Sequence, residues 1–171
     1  HHRMDRDQRL LSLQIASSVS TVEEWKTVCE LTDGIYPLLE LLQQGAAPEA
    51  TEEAQDYASR SAKVLRDLCA LSPDVSAIIT DSILRANHGG RGALFQSLCR
   101  LLRQDDDDLP QDVQHLSRRQ RRPARMKQQE TVQLYMSQLL LAMAVASDDA
   151  IHTIRQTEGL EAAIIGCSSL A

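Results

Sequence analysis

Between Ala54 and Leu71 the apolar and small residues Ala54, Tyr57, Ala58, Ser61, Ala62, Leu65, Leu68 and Cys69 fall at i, i+3, i+4, i+7, i+8, i+11, i+14 and i+15. That spacing marks one face of an α-helix. Glu53, Gln55, Asp56, Arg60, Lys63, Arg66 and Asp67 occupy the remaining faces. A helix with a single apolar stripe has to lay it on neighbours, because propensity alone holds so short a helix poorly in water. Ser72-Pro73-Asp74 stops this helix and starts another. Ser72 offers a capping hydroxyl, and Pro73 suits a first-turn position whose N–H has no helical partner. A short helix over about Pro73 to Leu84 is expected.

The same order of long helix, polar break, short helix, glycine and apolar helix occurs three times, and such recurrence is the mark of a repeat architecture. The first copy runs Leu10 to Ser18, then Thr21 to Leu31, with Thr21 and Glu24 spaced as a capping box, then Gly34 to Leu42. The second runs Ala54 to Leu71, Pro73 to Leu84 and Gly92 to Leu102. The third runs Thr131 to Ala146, Asp148 to Glu158 and Gly159 to Cys167. Composition agrees. Leu and Ala make up a quarter of the 171 residues and aromatics only 3%, which favours helix and leaves an all-β fold without strand formers. With 43% hydrophobic residues the chain can bury a core and is not a disordered segment. One all-α domain over residues 1–171 is expected.

Two stretches resemble the armadillo repeat, whose units run short helix, glycine, second helix, long third helix. Asp33-Gly34-Ile35-Tyr36-Pro37-Leu38-Leu39-Glu40-Leu41-Leu42 is similar to the family's glycine-led second helix, and Ser61-Ala62-Lys63-Val64-Leu65-Arg66-Asp67-Leu68-Cys69 to the end of its third. Glu158-Gly159-Leu160 repeats the glycine junction. The resemblance implies a right-handed α-solenoid of about three armadillo-like units that binds protein partners. In members that hold extended peptides, a tryptophan and an asparagine of the third helix line the groove. The matching positions here are Lys63 and Asp67, then Gln138 and Ala142, a departure from the nuclear-import type of groove. Gly34, Gly92 and Gly159 lie 58 and 67 residues apart, longer than the roughly 40 to 47 of such repeats. Inserted material is expected at Gly45 to Thr51, Arg85 to Arg91 and, longest, Gln104 to Gln128.

That longest insertion, residues 104–128, opens with Asp105-Asp106-Asp107-Asp108 and closes with Arg118, Arg119, Arg121, Arg122, Arg125 and Lys127. A connection of this length inside a domain is usually functional or disordered. Three readings stand: a solvated charged loop, a docking element for an acidic partner surface, or a nuclear-localisation or nucleic-acid patch. It holds no aromatic residue, hence no platform on which single-stranded bases stack. The net charge of −6 speaks against nonspecific nucleic-acid binding by the whole surface.

Residues for catalysis are scarce. Cys29, Cys69, Cys99 and Cys167 are each at least 30 residues apart, without a C-x-x-C or a histidine at metal spacing. Each sits among leucines or alanines, so all four are expected in the core as small hydrophobes, reduced, in a reducing compartment. His88, His115 and His152 pair with no evident nucleophile. His88-Gly89-Gly90-Arg91-Gly92 lacks the Lys-Ser/Thr pair of a phosphate-binding loop. The longest uncharged apolar run, Leu139 to Ala146, is 8 residues, against the roughly 20 that cross a bilayer.

No enzyme activity, metal, cofactor, small-molecule substrate, specific nucleic acid or transmembrane segment is therefore expected. The expected function is that of a protein-binding scaffold. Its partner-binding residues would be Arg60, Lys63, Asp67, Gln138 and Ala142 on the face of the long helices. Arg118, Arg119, Arg121 and Arg122 would form a second, electrostatic contact. The alternative is a peripheral structural subunit of a large assembly, organellar or membrane-associated.

Overall fold

Local chemistry starts four of the described helices. Thr21 is extended (φ −132°, ψ 160°) and its hydroxyl accepts the Glu24 N–H at 3.1 Å. Thr51 accepts from the Ala54 N–H at 3.1 Å, Ser72 from the Val75 N–H at 3.1 Å and Ser147 from the Ala150 N–H at 3.3 Å. Each satisfies one of the amides a helix start leaves orphaned, worth about 1 kcal/mol. The expected capping box forms only in half. The Glu24 carboxylate takes the Ser20 N–H (3.4 Å) and hydroxyl (3.3 Å), one residue before Thr21.

The computed structural model describes residues 6–47, 50–85, 127–156 and 160–168. Among these the chain is all-helical: α1 (Arg6–Ser17), α2 (Val22–Leu31), α3 (Tyr36–Ala46), α4 (Glu52–Cys69), α5 (Pro73–Arg85), α6 (Lys127–Ala146), α7 (Asp148–Gln156) and α8 (Leu160–Ser168). Gly34 turns the chain from α2 into α3 at φ +65°, a left-handed conformation that glycine adopts without the Cβ penalty. The Thr32 hydroxyl accepts its N–H at 3.1 Å and fixes the turn.

Packing follows the stripe of α4. Ala58, Ser61, Ala62, Leu65 and Leu68 are all buried, against α3 on one side and α6 on the other. Removing a leucine such as Leu65 wholly from water stabilises by about 1.5–3 kcal/mol. α6 also packs on α5, α7 and α8, while α1 leans on α3 and α4. The buried apolar residues form one cluster from Leu13 in α1 to Cys167 in α8. Arg9, with a side chain only 12% exposed, ties α1 to α3 through Glu40 at 3.2 Å, and Arg6 pairs with Glu53 of α4.

Several boundaries and burials differ from expectation. α1 begins at Arg6, a turn before Leu10, and α6 at Lys127, so the last two residues assigned to the 104–128 insertion are helical. Gly45 is not the start of an inserted loop. It lies buried inside α3, where a Cβ would come within 2.2 Å of the Ala58 Cβ and 2.7 Å of the Ala54 carbonyl oxygen, so its missing side chain lets α3 and α4 touch. Cys29 is exposed rather than in the core, because Trp25 and Val28 take the buried positions of α2. Cys69 is half-buried and Cys167 buried. Cys99, Gly92 with its expected helix, and Gly159 lie outside the described residues.

Candidate functional site

On α4, Asp56, Arg60, Lys63 and Asp67 follow one another at i, i+4, i+7 and i+11, one line along the face opposite the apolar stripe. α1 lies beside that line. Between the two helices runs a cleft of about 540 Å³ lined by Leu10, Leu13, Gln14 and Ser17 of α1 and by Tyr57, Arg60, Lys63, Val64 and Asp67 of α4. Leu13 and Val64 are buried in its floor, whereas Gln14, Ser17, Arg60, Lys63 and Asp67 are exposed along its rim. The cleft is thus apolar below and charged above.

Its charges are unequally satisfied. Arg60 pairs with Asp56 at 3.1 Å and lies 5.7 Å over the Tyr57 ring, whose hydroxyl donates to Glu53 at 3.3 Å. Asp67 accepts two bonds from Arg66 on a single oxygen, Nη2 at 2.9 Å and Nε at 3.1 Å. Among the described residues no carboxylate lies within ion-pair distance of the Lys63 ammonium, which rests 5.9 Å from the centre of the Tyr135 ring on α6. Arg66 lies 5.5 Å over the same ring and donates through Nη1 to Gln138. Two cations near one aromatic ring, within the range of cation–π attraction, join α4 to α6 at the surface.

The expected partner-binding residues divide accordingly. Arg60, Lys63 and Asp67 line one cleft, and Gln138 joins them through Arg66. Ala142 is half-buried one turn beyond Gln138 on α6 and is not among the residues lining the cleft. Arg118, Arg119, Arg121 and Arg122 lie outside the described residues. Four groups of consequence went unread in the sequence: the α1 wall, Tyr57, Tyr135 and Arg66. Leu10, Leu13, Gln14 and Ser17 have the right helical spacing, but nothing in it indicates that α1 neighbours α4. Arg66 looked like one more solvated charge, and its roles exist only once α6 is in place.

Among the described residues no group of three or more His, Cys, Asp or Glu is placed to hold a metal ion. Burial pushes the Cys29 thiol up, and it pushes the Cys69 thiol up against the opposing hydrogen bond from Ser76. Raised thiols are poor nucleophiles at neutral pH. His152 is exposed on α7, its Nε2 2.9 Å from the side-chain amide of Gln156. No described helix is long and apolar enough to cross a membrane. The chain matches no protein-family model, no curated protein and no solved structure.

Proposed function

We propose that this chain is a non-catalytic protein-binding scaffold of the armadillo-like type, an α-solenoid of about three units. In this reading α1, α4 and α6 are the long third helices of successive units and together form the binding face. One observation carries it: Lys63 lines the cleft against α1 and also lies over Tyr135 of α6, so residues from three helices far apart in sequence converge on one side of the molecule. Stacked helical repeats use faces of this kind, with a buried core behind and a ladder of polar side chains in front. The pairing of α1 with α4 and of α4 with α6 supports the stacking.

Site-specific photo-crosslinking tests the proposal. A benzophenone amino acid placed at Gln14, Arg60 or Gln138 should capture the same partner protein from native extract. The same group at Asp74, exposed on α5, should not. Equal capture from α5 and from the α1/α4/α6 face would reject the assignment of that face.

The alternative, a structural subunit of a larger assembly, draws on a different observation. Leu141 (42% exposed) and Val145 (90%) lie at i and i+4 on α6, and Ile165 of α8 is 62% exposed. Large apolar side chains held in water favour a surface that is permanently covered. A partner that stays bound in fixed ratio through purification and shields Val145 from crosslinking would favour this reading over a scaffold with transient clients.

A further inference from the structure

The α1/α4 cleft also specifies the kind of segment it fits, on the protein-binding reading above. We propose that it receives about two turns of an amphipathic helix from a partner protein, with two aliphatic side chains seated on Leu10, Leu13 and Val64 and a carboxylate on Lys63.

Charge points to the carboxylate. Of the three ionised side chains in the cleft, Arg60 is matched by Asp56 and Asp67 by Arg66, at 3.1 and 2.9 Å. Lys63 makes no ion pair among the described residues, and an aromatic ring 5.9 Å away leaves its ammonium able to take a carboxylate from the open side of the cleft. A basic ligand would meet Lys63 unmatched and would have to compete with Arg66 for Asp67.

The walls point to a helix. Both are helices whose backbone N–H and C=O groups, the carbonyls at the end of α1 apart, are bonded along the chain, so they offer an extended peptide few main-chain partners. Such a peptide needs a row of neutral side chains that both donate and accept. The cleft has Gln14 and Ser17 on the α1 side only; the α4 rim consists of Arg60, Lys63 and Asp67. A helical ligand bonds its own backbone and asks of the groove only apolar contact and a matched charge. The dimensions agree. Leu10 to Ser17 and Tyr57 to Asp67 span roughly 10 and 15 Å of helix axis, against roughly 11 Å for two turns.

Selection from a displayed library of random peptides about 12 residues long, some 18 Å as a helix, on the purified full chain tests this. The pool should enrich pairs of Leu, Ile or Met at i, i+3 or i, i+4 with Asp or Glu on the adjoining face, and the selected peptides should gain helical circular dichroism on binding. Lys63→Glu should weaken them about tenfold through like-charge contact, with the melting temperature held within about 2 °C because the residue is exposed. Replacing the peptide's acid by lysine should restore binding to Lys63→Glu alone. Enrichment of basic or proline-rich extended sequences, equal affinity for Lys63→Glu, or no enrichment at all would overturn the proposal. If the native partner still crosslinks at Gln14, Arg60 and Gln138 after such a result, the scaffold reading survives and only the helical ligand is lost. If both experiments fail, both readings fall.

Discussion

α4 and α6 lie against each other in the same molecule, yet they differ in what they leave facing outward. α4 is packed by α1, α3, α5 and α6, and Arg60, Lys63 and Asp67 on its far side stand in water. α6 buries Val132, Gln133, Met136, Ser137, Leu139, Leu140 and Met143, which fall within roughly half of its circumference at about 3.6 residues per turn, against α4, α5, α7 and α8. A helix with one side in water is expected to be polar on that side. The outward face of α4 is correspondingly polar, whereas α6 leaves Leu141 and Val145 exposed. The pattern of α4 therefore marks its open side, whereas that of α6, apolar on both sides, does not.

Truncation inside the core tests the contrast most severely. Leu65→Ala in α4 and Leu140→Ala in α6, both fully buried, should each cost about 2–5 kcal/mol in urea unfolding, the loss of transfer energy plus the cavity left behind. A small effect at Leu140 alone would show that α6 is less enclosed than its neighbours suggest. Gly45→Ala comes next. Its new methyl would meet the Ala58 Cβ and the backbone of Ala54, and the forced separation of α3 from α4 should cost about 1–3 kcal/mol, whereas Gln44→Ala, exposed one residue away, should be nearly silent. Thr51→Ala removes the hydroxyl that caps α4 and should lower stability by about 1 kcal/mol, most visibly as faster amide exchange at Ala54. Last, Lys63→Ala on the charged side of α4 and Val145→Thr on the exposed side of α6 should each change stability by under about 0.5 kcal/mol. A larger loss at Val145 would mean that α6 is covered there in solution.

The all-helical character, the starts of α2 and α5 and the buried face of α4 were legible because each depends on residues within a few positions: Thr21 and Ser72 as caps, the 54–69 stripe, Gly34 at its turn. The misreadings are equally physical. Gly45 looked like a loop because glycine weakens helices, while its use here is a close approach between two helices, visible only with Ala58 opposite. Cys29 was placed in the core by its apolar neighbours, although Trp25 and Val28 already fill the inward positions of α2. Of the site, Lys63 and Asp67 were chosen by their match to groove positions of the armadillo pattern, and with Arg60 they stand in a single line along α4. The apolar wall from α1 and the Tyr135 ring beneath two cations depend on tertiary pairing, which the spacing within either helix does not encode.

The contact at Gly45 reaches further than the helix pair it joins. α1 is carried on α3 through the Arg9–Glu40 ion pair and packs there as well as on α4, so the gap between α3 and α4 helps to set where α1 stands. The width of the cleft is therefore gauged from behind, by a position with no side chain that lines none of it. Binding could be tuned over evolutionary time at residue 45 without altering any atom that meets a ligand, a form of adjustment that a comparison of cleft residues alone would overlook.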